Sequence, residues 1–319
     1  MTRFKNILVA VDTRLDNHPI IDEAVEIARQ NNASLMIVDV VPEFPWTVRM
    51  TLTNHEDVRR LIAREKQDIL DTLAKSIRDK GINADSKVLW GKTSVEIIRE
   101  VLRNRSDLVL RVARGHDSSH KGFFGATGRR LLRDCPCAVW LVAAAETPDY
   151  KHVMGCIDTS TGHELDTNLN HKVYELASAV SQQHEAILSI VHAWSIDMEE
   201  LLERRMHQDE FVNMQESRRR CTEDAIERFL QPLGARTDDS HIHLVKGAPS
   251  SAIPEYVSEN GVDLVVMGTV ARSGLTGMVI GNTAERILDD LECSVLAVKS
   301  DSFISSISHS EYINPTAGR

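Results

Sequence analysis

The chain alternates short, wholly apolar runs with longer segments whose apolar residues recur three and four positions apart. Phe4–Asp12 (FKNILVAVD) and Ser34–Val41 are runs of the first kind, as expected of strands buried on both faces of a parallel sheet. Between them, Pro19–Gln30 puts Ile20, Ala24, Ile27 and Ala28 on one helical face. After a turn at Pro42–Pro45, Glu56–Lys80 reads as a long amphipathic helix that Gly81 ends. Asp85–Leu89, Leu108–Val112 and Ala138–Val142 are three further strands, with helices predicted over Thr93–Arg103 and Gly128–Arg133. Strands alternating with helices in this way predict an α/β fold with an open parallel sheet.

The pattern then starts again. Tyr150–Asp158 (YKHVMGCID) repeats Phe4–Asp12, so that Asp12 answers to Asp158, Val38 to Val191, Gly91 to Gly247 and Leu108 to Leu264. A repeat of about 150 residues is too long for a solenoid and suits two whole domains. The expected division is residues 1–145, residues 150–300 and a Ser-rich tail over 301–319, with the join in Ala144–Asp149. In the second copy, helices are expected over Asn168–Gln183 and Ser250–Glu259, and strands over Ala186–Ala193 and His241–Val245. Met198–Phe229 is charge-rich and predicts a long solvated helix interrupted near Gln208; its Arg218-Arg219-Arg220 cluster is offset by nearby acids.

Composition narrows the function classes. Of 319 residues 42% are apolar and 26% charged, as in a soluble globular protein, and with 5% aromatic the cores must be mostly aliphatic. A net charge of −10 argues against nucleic acid as a partner. No apolar run reaches the roughly 20 residues of a membrane span, and Met1–Arg3 lead straight into a strand, so neither a membrane segment nor a secretory leader is expected. The odd cysteine set (Cys135, Cys137, Cys156, Cys221, Cys293) fits thiols in a reducing cytoplasm better than a disulfide framework. Cys135-Pro136-Cys137 is one residue short of a C-x-x-C pair.

The candidate chemistry lies in Asp263–Lys299, a buried strand, a Gly-rich loop, a helix opening at Asn282 and a last strand. Glycines let the backbone leave a strand sharply and approach a ligand closely, and a helix N-terminus offers free N–H groups to an anion. The spacing is Gly268, two residues, Ala271, nine residues, Gly281, Asn282, Thr283, with Asn282 or Thr283 expected to cap the helix. Together with VKGAP at 245–249, DLVVMGT, NTAERIL and CSVLAVK, this resembles the universal stress protein family, whose nucleotide-binding members carry G-x2-G-x9-G-[S/T] here. The resemblance covers nearly the whole chain, as a tandem protein similar to the bacterial E-type members. It implies two adenine nucleotide alpha hydrolase-like domains with strand order 3-2-1-4-5, each with a cleft between strands 1 and 4.

By that resemblance, Asp158, His192, Ala193, Gly247, Gly268, Ala271, Arg272, Gly281, Asn282 and Thr283 form the ligand site. Its departures are Ala271 in place of the second glycine and Asn282 in place of the Ser or Thr. The first copy supplies Asp12, Gly91, Val112, Gly115, Gly125, Ala126 and Thr127, with a valine for the first glycine and Arg111 standing where Met267 does. That copy reads as degenerate. The function implied is non-enzymatic binding of a small ligand, ATP or AMP among the candidates, in a cytoplasmic stress response involving a protein partner. Slow ATP hydrolysis with Mg²⁺ near Asp158, and a scaffold or lipid-like-ligand protein, are the alternatives. The last strand of each copy is expected to pair with the other inside the chain, covering exposed edges as a dimer would, with further homodimerisation left open.

Two further histidine groups are candidates for metal chemistry. His116, Asp117 and His120 have a spacing that suits zinc with an outside ligand, and His241 and His243 share a strand face; a solvated loop and a packed strand are the expected readings. No P-loop, nucleophile elbow or zinc-protease motif is present, and no catalytic residue is assigned.

Overall fold

The computed structural model describes residues 4–113, 123–143, 148–160, 164–269 and 280–307. The first half runs β1 (Asn6–Ala10), α1 (Ile20–Asn31), β2 (Ser34–Val41), α2 (Trp46–Thr51), α3 (His55–Asp79), β3 (Ala84–Trp90), α4 (Thr93–Asn104), β4 (Leu108–Val112), α5 (Ala126–Asp134) and β5 (Ala138–Val142). The second runs β6 (His152–Cys156), α6 (Glu164–Gln183), β7 (Ile187–Trp194), α7 (Glu199–Arg205), α8 (Gln208–Leu230), β8 (Ile242–Lys246), α9 (Pro249–Asn260), β9 (Leu264–Gly268), α10 (Asn282–Asp290) and β10 (Ser294–Val298).

The strands form one ten-stranded sheet in the order β3-β2-β1-β4-β5-β10-β9-β6-β7-β8. Each half therefore has the order 3-2-1-4-5, parallel throughout. The halves join where β5 meets β10 antiparallel, with Val139 opposite Ala297 and Leu141 opposite Val295. The expected pairing of the two last strands is thus what makes the sheet continuous.

Period-two alternation sends successive side chains to opposite faces, and both faces are covered. Ile7, Val9, Leu35, Ile37, Leu108 and Leu110 pack under α1 and α3 on one side. Leu8, Ala10, Val38, Val109 and Val139 face α4 and α5 on the other. At the junction Trp140, 1% exposed, stacks on Tyr150 with centroids 6.0 Å apart and donates from Nε1 to the Tyr150 hydroxyl at 3.2 Å. Burial raises the Tyr150 pKa, so that hydroxyl stays protonated. Glu23 of α1 takes Gln183 Nε2 at 3.1 Å and lies 3.3 Å from His184 Nε2, a polar tie between halves.

One detail differs from the sequence expectation. The segment after Pro45 forms α2, which has no buried residue and hence no apolar periodicity to announce it. The charged stretch breaks between Arg205 and Gln208, near the expected residue, and Arg219 and Arg220 pair with Glu223 and Glu216 along its exposed face.

Candidate functional site

Open parallel sheets hold ligands beyond the carboxyl ends of strands, where strand order reverses. In the second half that place is between β6 and β9, which pair from Val153–Leu264 to Cys156–Met267. A cavity of about 430 Å³ opens there, walled by Asp158, Ala193, Gly268, Gly281, Asn282 and Thr283 together with Ile157, Leu169, Ile253, Met267 and Ile287. Six of the residues expected to hold a ligand are thus brought together. Asn170 of α6 fixes the strand end: its Oδ1 accepts from the Asp158 N–H at 3.0 Å and its Nδ2 donates to the Asp158 carbonyl at 2.7 Å. Gly268 is needed for packing as well as for the loop. A Cβ there would lie 2.6 Å from Leu169 Cδ2, so its absence lets α6 press Leu169 against the strand end.

Other expected members stand elsewhere. His192 is 4% exposed and points away from the cavity; its Nδ1 donates to the Ile157 carbonyl at 3.1 Å. Burial pushes its pKa down, against that bond and with help from Arg218, so the ring stays neutral at pH 7. Its strand neighbour Ala193 takes the cleft side, as alternation requires. Gly247, with φ +148°, turns the chain from β8 into α9 against Ala252, off the cavity wall. Ala271 and Arg272 lie outside the described residues. The helix cap also differs: Gly281 is the N-cap of α10, with no side-chain bond, and Asn282 and Thr283 are its first helical residues.

The first half is built alike. Gly125 caps α5 and donates to the Ala113 carbonyl at 3.1 Å, as Gly281 does to Thr269 at 3.2 Å. Its cavity, about 450 Å³, is walled by Asp12, Gly125, Ala126 and Thr127 with Arg14, Asp39, Lys66 and Arg111. Val112 lies in the core rather than on this wall, Gly91 (φ +130°) turns beside Glu96, and Gly115 is outside the described residues.

Volume does not separate the two clefts; charge does. Asp12 takes Arg14 Nε at 2.8 Å and Nη2 at 2.7 Å. Asp39 accepts from the Thr13 N–H at 2.9 Å and its hydroxyl at 2.7 Å, and pairs with Lys66. Arg14, Asp39 and Lys66 were not among the expected site residues. Asp39 carried a signal, because a carboxylate inside the apolar run SLMIVDVV must find a partner when buried.

Of the strand histidines, His243 is packed. His243 leans on Tyr256 with centroids 5.5 Å apart, and among the described residues no group of three or more metal-binding side chains occurs. His116, Asp117 and His120 lie outside those residues. The five cysteines are free, with Cys135 and Cys137 sulfurs 3.5 Å apart, and no described helix is long and apolar enough to cross a membrane.

This duplicated architecture, with its paired helix entries at Gly125 and Gly281, matches a known family. The model of the universal stress protein family fits residues 3–143 and again residues 149–299. The chain belongs to the universal stress protein family. Universal stress protein E of Photorhabdus laumondii is 27% identical over 321 residues, covering 95% of this chain and 97% of the relative. Among solved structures, a Pseudomonas aeruginosa protein described as functionally unknown aligns with a TM-score of 0.72 at 22% identity, covering 93% of each chain. A universal stress protein from Archaeoglobus fulgidus aligns with a TM-score of 0.60 at 17% identity, covering 92% of this chain and 98% of that one. At such identities these two structures speak to the fold, which they share across both halves.

Proposed function

We propose that this chain is a cytoplasmic, non-enzymatic stress-response protein that binds an adenine nucleotide, AMP or ATP, in its second-half cleft. The observation that carries the reading is the convergence of three kinds of group on one cavity. Ile157, Met267 and Ile253 give apolar wall for a base, Asp158 gives a carboxylate for ribose hydroxyls, and the first turn of α10 gives N–H groups for phosphate. Charged groups on the described wall are Asp158 and Asp166, so a triphosphate would bring Mg²⁺ with it, whereas AMP uses the helix turn alone. Five free thiols agree with a reducing compartment. Occupancy of the cleft is read by a protein partner.

Calorimetric titration with AMP and with ATP tests this. Saturable heat that Gly281→Asp abolishes supports it, since the new carboxylate would stand where phosphate binds. No heat at millimolar nucleotide from folded protein contradicts it. Phosphate release from ATP that disappears with the same substitution would instead establish slow hydrolysis at this cleft.

A second reading rests on how much of the wall is aliphatic, including Leu169 and Ile287. An amphipathic, lipid-like molecule would bury its chain there. Native mass spectrometry of protein taken from cells separates the two by the mass that stays bound.

A further inference from the structure

The first-half cleft contains a buried guanidinium with no ion-pair partner among the described residues. Arg111 at the end of β4 is 9% exposed, and its Nη1 approaches the Ala10 carbonyl at 3.5 Å, long for a hydrogen bond. The nearby carboxylates are engaged by other cations, Asp12 by Arg14 and Asp39 by Lys66. Among the described residues no acid lies within ion-pair distance of Arg111. Among the described residues of this wall three cations face two carboxylates, and His18 near Asp12 and Asp39 is pushed toward its neutral form by burial. Burial likewise presses the Arg111 pKa down, against Asp12 and Asp39, yet an arginine keeps its charge in proteins. A buried charge in that position calls for an anion.

A second feature points the same way. The first turn of α5, Ala126 to Gly128, lines the same cavity, and its N–H groups have no partner within the helix. Across from it Val41, Pro42, Phe44 and Ile62 form an apolar wall.

We propose that the first-half cleft is an anion site in its own right, built for a small organic phosphate monoester or carboxylate with an apolar body. Arg111 and the first turn of α5 take the anionic oxygens, Arg14 and Lys66 supply the surrounding positive field, and Phe44 and Ile62 cover the organic part. A guanidinium suits either group because its N–H fork matches two oxygens at once. The loss of the family glycine pattern in this half is then a change of ligand, made by the exchange of a methionine position for Arg111.

The test uses the whole chain and three probes: phenyl phosphate, phenylacetate and, as the uncharged control, benzyl alcohol. Titration should show saturable binding of at least one anionic probe, at least tenfold tighter than benzyl alcohol. The stronger of the two identifies phosphate or carboxylate as the preferred group. Arg111→Met, which installs the residue found at the matching place in the other half, should weaken that binding at least tenfold. Arg111→Lys should recover part of it. Gly281→Asp, which blocks the other cleft, should leave it in place, so failure of this site and failure of the nucleotide site are separately visible. The proposal is overturned if neither anion binds the wild type, if Arg111→Met binds as well as the wild type, or if Gly281→Asp abolishes the binding.

Discussion

Arg111 and Met267 occupy one position in two copies of the same fold. Arg111 pairs with Ala10 on β1 and Met267 with Cys156 on β6, each at the last rung of its ladder. Both side chains reach the cleft wall of their own half. One half thus closes its cleft floor with a thioether and the other with a guanidinium.

The exchange has opposite consequences for stability at two neighbouring cations. Arg111 has no ion-pair partner among the described residues, so Arg111→Met should stabilise the chain by about 1–4 kcal/mol, the range for replacing buried charge with apolar volume. Lys66 is the partner of buried Asp39, so Lys66→Met should cost about 3–5 kcal/mol by leaving a carboxylate unpaired. Urea unfolding midpoints of the two variants should move in opposite directions. A fall in both would mean that Arg111 is held by the protein and needs no ligand.

Gly268 and Leu169 are coupled through a missing Cβ. Gly268→Ala would bring a methyl to 2.6 Å from Leu169 Cδ2. The leucine has to swing into the cleft, at a stability cost of about 1–3 kcal/mol. Nucleotide affinity should fall about tenfold, equivalent to about 1.4 kcal/mol. Adding Leu169→Ala should restore affinity, a non-additive pair detectable by a double-mutant cycle. Unchanged affinity in Gly268→Ala would place the ligand away from this strand end.

Lys299 makes stability depend on pH above neutrality. Its ammonium, 5% exposed, donates to the Leu132 carbonyl at 2.5 Å and sits 4.6 Å from the Phe303 ring, joining the end of β10 to α5. Burial pushes its pKa down to about 8, against Cys135, Asp134 and Cys137, which raise it. An unfolded lysine titrates near 10.4, so between about pH 8 and 10.4 the unfolded chain holds more protons and stability rises with pH. The penalty is fully present below about pH 8, and its relief amounts to about 3 kcal/mol at most. Lys299→Met should lack this rise, so the wild-type-minus-variant difference in unfolding free energy should climb across that window. A flat difference would contradict the burial of a charged Lys299.

Much of the fold was legible because the strands are apolar runs too short for helices, and because the chain repeats itself. Asp12 and Asp158 marked the same strand end twice, and Gly125 and Gly281 the same helix entry. What could not be read was orientation. His192 and Ala193 are adjacent and both plausible beside a cleft, but strand register sends only Ala193 into it. Motif spacing likewise pointed to Asn282 or Thr283 as the helix cap, whereas the chain uses the glycine before them. Lys66 was hidden for a different reason: it lies on a helix distant in sequence from Asp39, and a one-dimensional pattern does not show that the two meet. Arg111 was visible as a substitution, but that no described acid pairs with it depends on Arg14 and Lys66 taking Asp12 and Asp39, which a sequence does not show.

The most direct measurement is a crystal structure of the chain grown with saturating AMP. The account predicts nucleotide density in the second-half cleft, with the ribose at Asp158 and the phosphate on the first turn of α10 after Gly281. AMP seated instead beside Arg111 with the second cleft empty, or no nucleotide density in either cleft, would contradict it.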